Sequence, residues 1–146
     1  ECLTAFRAPQ CPLEYGPLLA QSGAHAMMDV SDSLLRDATR IAKASAVAID
    51  IDDPLETDAF TGDVAALRPL AKFLGDFSLV RKWILTGGED HGLLATLAAA
   101  DQPKLKGHPQ ARPIGRILPA DGLEAGTVLV AGQPPNLPLG WDHFGN

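Results

Sequence analysis

Apolar residues recur along this chain with two different periods, and the points where one period gives way to the other mark the expected elements. Residues 1–25, punctuated by Pro9, Pro12, Gly16 and Pro17, follow neither period. They predict an irregular lead-in with a short helix around residues 18–21. Residues 26–30 read as a short buried strand. Leu34, Leu35, Ala38, Ile41 and Ala42 then repeat at helical spacing, with Ser31 placed as the N-cap and Asp32 in the first turn. Val47, Ile49 and Ile51 alternate as a strand does, and Asp50, Asp52 and Asp53 crowd its end before Pro54 stops it.

Further along, helical stretches are expected within 63–74 and 78–84, with Pro69 and Gly75 as breaks and Gly87-Gly88 as the end of the second. Residues 93–97, 113–118 and 127–130 read as strands, the last two joined by a turn at Asp121-Gly122. Residues 131–146 form an extended tail rich in Pro and Gly. Strands and helices alternate, so the fold class is α/β or α+β, with a mixed β-sheet packed against helices.

The 146 residues, 46% of them apolar, suit a single domain spanning 1–146 with a genuine core. Twelve basic against 18 acidic residues leave a formal charge of -6, so no field draws nucleic acid or an anionic membrane. An anionic nucleotide would have to arrive with its own cations, which implies Mg²⁺. Two cysteines, Cys2 and Cys11, define neither a zinc site nor a disulfide scaffold. With no signal-peptide pattern and no apolar run of about 18 residues, the expected location is the cytoplasm. The chain begins without Met, at Glu1, and reads as a piece of a longer protein.

Two acidic, turn-like motifs carry the candidate chemistry. In Met28-Asp29-Val30-Ser31-Asp32-Ser33, a strand delivers Asp29 to the sheet edge, and a helix start beyond it offers free amides and a positive dipole end to an anion. Asp29 and Asp32 are hard oxygen donors suited to Mg²⁺. A capping serine before an acidic first turn is also everyday helix chemistry, so the motif alone decides nothing. In Thr86-Gly87-Gly88-Glu89-Asp90, two glycines permit close backbone approach or positive φ, and consecutive acids precede an apolar strand, where a buried charge is costly. Trp141 and Phe144 in the tail could stack on a planar, cationic ring or simply pin the tail to the core.

Taken in order, these two motifs, then Pro113-Ile114-Gly115-Arg116-Ile117 and Gly140-Trp141-Asp142-His143-Phe144, resemble the C-terminal half of thiamine-monophosphate kinase, within the aminoimidazole ribonucleotide synthetase superfamily. The resemblance implies ATP-dependent, in-line phosphorylation of thiamine monophosphate to thiamine diphosphate, the final step of that biosynthesis. It further implies Mg²⁺ on Asp29 and Asp32, ATP at Ser31, and thiamine monophosphate at Glu89, Trp141 and Phe144. An N-terminal domain, absent here, would supply the remaining metal ligands and the homodimer contacts, leaving this domain inactive alone. Two departures stand out: Ser33 replaces the glycine usual after the Ser-Asp pair, and His91-Gly92 replaces the usual Tyr-Glu. The alternatives are another small-molecule ATP-dependent enzyme of the superfamily, or a non-catalytic nucleotide- or phosphate-binding module.

Overall fold

The computed structural model describes residues 7–89 and 91–140. Its elements follow the order α1 (Tyr15–Ser22), β1 (Ala26–Asp29), α2 (Leu34–Ala44), β2 (Ala48–Ile51), α3 (Thr61–Leu74), α4 (Ser78–Thr86), β3 (Leu93–Thr96), β4 (Gly115–Leu118) and β5 (Val128–Val130). Short 3-10 turns occupy Asp58–Phe60 and Ala99–Leu105. The strands form two sheets. β1 pairs antiparallel with β3, while β2 lies between antiparallel β4 and parallel β5. The three-stranded sheet is therefore mixed, as the alternation of elements predicts.

The core is built around α2. Its apolar stripe, Leu34, Leu35, Ala38, Ile41 and Ala42, is buried against Ile49 and Ile51 of β2, Val128 and Val130 of β5, Phe60 and Leu85. Burial of a full aliphatic side chain stabilises by about 1.5–3 kcal/mol, so this one helix face anchors both sheets. No helix among the described residues is long and apolar enough to cross a membrane.

Several elements differ from the sequence expectation for identifiable reasons. The lead-in contains a full helix from Tyr15, because Pro17 falls in its first turn, where no amide is needed, and Gly23 closes it at φ 99°. The strand read as buried at 26–30 is half-buried: Met27 and Asp29 face outward, since only one face of β1 meets α2. Pro69 does not break α3. It and Ala65, four residues earlier, are both exposed, so the carbonyl that loses its partner can turn to water. The 3-10 turn at Ala99–Leu105 was not expected at all. β4 and β5 do not pair with each other across the turn at Asp121-Gly122; they flank β2 on opposite edges.

The Ile114-Gly115-Arg116 motif has a structural role in this sheet. Gly115 stands opposite Ile51, and a Cβ there would overlap the Asp50 carbonyl of β2. Arg116 stands opposite Asp50, and its guanidinium donates to Asp50 Oδ2 at 2.5 Å. Asp50 is buried, 3% exposed, and its Oδ1 accepts from the Gly132 amide at 2.8 Å. Read from sequence as crowding the end of an alternating strand, Asp50 in fact ties β4 and the turn after β5 to the central strand. Gly115→Ala is expected to cost about 1–3 kcal/mol of stability in urea unfolding, as overpacking at a backbone contact does.

Candidate active site

One buried carboxylate shapes the turn between β1 and α2. Asp37, wholly buried on the first turn of the helix, accepts the backbone amides of Ser31, Asp32 and Ser33 on Oδ2 at 2.9, 3.1 and 3.3 Å. Its Oδ1 takes a charge-assisted hydrogen bond from Arg40 at 2.6 Å. The other arm of the same guanidinium meets Asp32 Oδ2 at 2.5 Å. That hydrogen bond to Asp32 pushes the Arg40 guanidinium above its ordinary value. Arg40 is thus a fixed cation between two aspartates.

This geometry corrects two readings of the first motif. Ser31 is not the N-cap and Asp32 is not in the first helical turn. Ser33 caps the helix, its Oγ accepting from the Arg36 amide at 3.1 Å. The amides of 31–33 are also not offered to an external anion, because Asp37 already occupies them. The signal was present in the sequence: Asp37 follows Leu34 by three residues, a carboxylate on the apolar stripe of its own helix.

The second motif hangs from this turn by its backbone. Glu89 N–H donates to the Ser31 carbonyl at 2.8 Å, His91 N–H to Val30 at 3.1 Å, and Val30 N–H to Gly92 at 2.7 Å. Gly88 packs so tightly on Ser31 that a Cβ would overlap the Ser31 carbonyl, which bears out the close approach expected of the glycine pair. Positive φ falls instead on Glu89 (65°) and His91 (51°). Asp29, with a half-exposed side chain, has His91 Nδ1 at 3.7 Å.

The tail reaches the same place. Ser33 Oγ donates to the Leu139 carbonyl at 2.6 Å, and a Cβ on Gly140 would overlap Ser33 and the Asp32 carbonyl. The structure therefore places Asp29 at the end of β1 and Ser31, Asp32 and Glu89 on two turns joined by backbone hydrogen bonds, with residues 139–140 laid beside them. Trp141, Phe144 and Asp90 lie outside the described residues. Among the described residues no three His, Cys, Asp or Glu side chains form a metal-holding group.

No protein-family profile matches the chain. The thiamine-monophosphate kinase of Mycobacterium tuberculosis is 42% identical over 137 residues, 94% of this chain. That of Corynebacterium glutamicum is 38% identical over 93 residues, 63% of this chain. The chain belongs to the thiamine-monophosphate kinase family. It spans 36% of the length of the mycobacterial relative. Two solved structures share its fold. AaThiL complexed with AMPPCP and TMP has a TM-score of 0.68 at 26% identity, over 97% of this chain and 40% of that one. The thiamine-monophosphate kinase of Stenotrophomonas maltophilia K279a has a TM-score of 0.64 at 31% identity, over 87% of this chain and 37% of its own.

Substitutions at two positions test the turn. Asp37→Asn keeps the shape but offers one acceptor oxygen and no charge to three amides and an arginine. It is expected to cost about 3–5 kcal/mol by urea unfolding, the range for breaking a buried ion pair. Ser33 sits at φ 147°, ψ 160°, a backbone region that is almost exclusively glycine's. Ser33→Ala keeps the strain and loses the cap, whereas Ser33→Gly loses the cap and the strain together. The alanine variant should therefore unfold about 1–3 kcal/mol more easily than the glycine variant.

Proposed function

We propose that this chain supplies one wall of the active site of a thiamine-monophosphate kinase, which transfers the γ-phosphoryl group of ATP to thiamine monophosphate and yields thiamine diphosphate. The observation that carries this reading is the junction of the two acidic motifs through the Glu89–Ser31 backbone hydrogen bond. It ties the turn that carries Ser31 and Asp32 to the turn that carries Glu89, in a chain whose relatives are named for that reaction. AMPPCP is an ATP analogue, and its presence with TMP in a structural relative supports the same substrate pair here.

The donor chemistry of the turn suits Mg²⁺, since carboxylate oxygens are its preferred protein ligands and it is bound through one or two of them together with phosphates and water. Asp29 and Asp32 would hold it. When bound, the ion neutralises charge between the two phosphate groups. Two aspartates make only part of a coordination shell, in keeping with a chain that spans 36% of its relative. Ser31 would lie against the nucleotide and Glu89 against the acceptor. Trp141 and Phe144 would line the thiamine ring.

What the chain's own residues contribute is position. Asp37 and Arg40 fix the turn, so Asp32 is held without a search over rotamers, and the Ser31 carbonyl fixes the Glu89 turn against it. Transfer between two anions depends on such placement more than on covalent chemistry.

The test is phosphorus NMR on this chain joined to the remaining length of the mycobacterial relative, supplied with ATP, Mg²⁺ and thiamine monophosphate. The diphosphate resonances of thiamine diphosphate should appear, and Asp32→Asn should slow their growth by about 100-fold or more, roughly 2.7 kcal/mol. Intact ATP, or release of inorganic phosphate alone, would overturn the reading. The 146-residue chain by itself should give no product.

A further inference from the structure

A groove of about 390 Å³ opens between the two sheets, away from the acidic turns, and is lined by Ile49, Leu94, Leu97, Leu105, Ile114 and Ile117 among others. One side is β3, whose pairing partner among the described residues is β1. The other side is β4, paired with β2. Two sheet edges from different sheets therefore border one apolar space. We propose that this groove receives an extended, apolar β-strand from the part of the family's length that this chain does not span. The strand would join β1-β3 and β4-β2-β5 into one six-stranded sheet.

Three observations select that occupant. First, the groove presents backbone as well as side chains. An edge strand carries a row of N–H and C=O groups that call for partners when covered. A small apolar ligand would bury these groups and satisfy none, whereas an inserted strand pairs with both edges at once. Second, the lining is dominated by aliphatic side chains from β2, β3, β4 and the 3-10 turn, as suits one face of a strand packed on a core. Third, the occupant has a source. AaThiL matches 97% of this chain with only 40% of its own length, so the same scaffold there belongs to a chain with more than half its polypeptide elsewhere. The inference rests on family membership and not on the catalytic reading, so either can fail without the other.

Amide hydrogen exchange on this chain joined to the remaining length of the mycobacterial relative tests the proposal, with the β2–β5 amides as an internal control of folding. The amides of β3 and β4 that do not face β1 or β2 should exchange about 100-fold more slowly than in the 146-residue chain alone. Ile117→Lys, at a groove position already 42% exposed, should restore fast exchange there while the control amides stay protected. Fast exchange at both edges in the joined chain, with protected control amides, would overturn the proposal. So would edge protection in the 146-residue chain that rises with concentration, because the occupant would then be a second copy.

Discussion

The architecture of the candidate site depends on a single buried charge. Bringing the Asp37 carboxylate out of water costs several kcal/mol unless it is fully paired. Three amides and one guanidinium supply that pairing, and each comes from the turn or from the next turn of the helix. The turn therefore cannot relax without exposing an unpaired charge. Everything else in the site is attached to it in sequence: Glu89 to the Ser31 carbonyl, and Leu139 to the Ser33 hydroxyl. The acidic groups are offered by a rigid loop because another acid behind them holds the loop's amides.

The same device recurs at the far end of β2. Asp50 is buried, meets one arginine across the sheet, and accepts one amide from the chain beyond β5. In both cases a carboxylate replaces the regular backbone partners that an irregular segment lacks, and an arginine balances its charge. The difference lies in reach. Asp37 organises a local turn within six residues, whereas Asp50 ties three segments distant in sequence. Gly115 makes the second arrangement possible by letting β4 approach the Asp50 backbone, which explains why glycine and arginine are adjacent in that motif.

The legible part of this fold is the part that hydrophobic periodicity controls. The stripe Leu34, Leu35, Ala38, Ile41 and Ala42 located α2, and the alternation at 47–51 located β2. The acidic motifs were also legible, and the structure brings the described part of each together. Three features resisted reading. Pro69 reads as a break because a missing amide is costly in a buried helix, but its face of α3 is wet. Ser31 reads as the cap because it comes first after the strand, although Ser33 sits directly before the first helical residue. The division into two sheets depends on which strands pair, and periodicity within single strands carries no information about that.

Ser33 shows how a departure from a family pattern can be absorbed. The resemblance puts glycine at this position, and the backbone at φ 147°, ψ 160° explains why, since a Cβ there costs of the order of 1–3 kcal/mol. Serine is the side chain best able to offset that cost here. Its hydroxyl accepts from the Arg36 amide as the helix cap, worth about 0.5–2 kcal/mol, and donates to the Leu139 carbonyl, worth about 0.5–1.5 kcal/mol. Strain and compensation are of the same size, so the exchange is close to neutral for stability. It is not neutral for structure. A glycine would leave residues 139–140 to pack on the turn by shape alone, whereas the serine fastens the tail to the same loop that carries Asp29 and Asp32. The departure adds a covalently short, hydrogen-bonded path from the acidic turn to the segment that leads to Trp141.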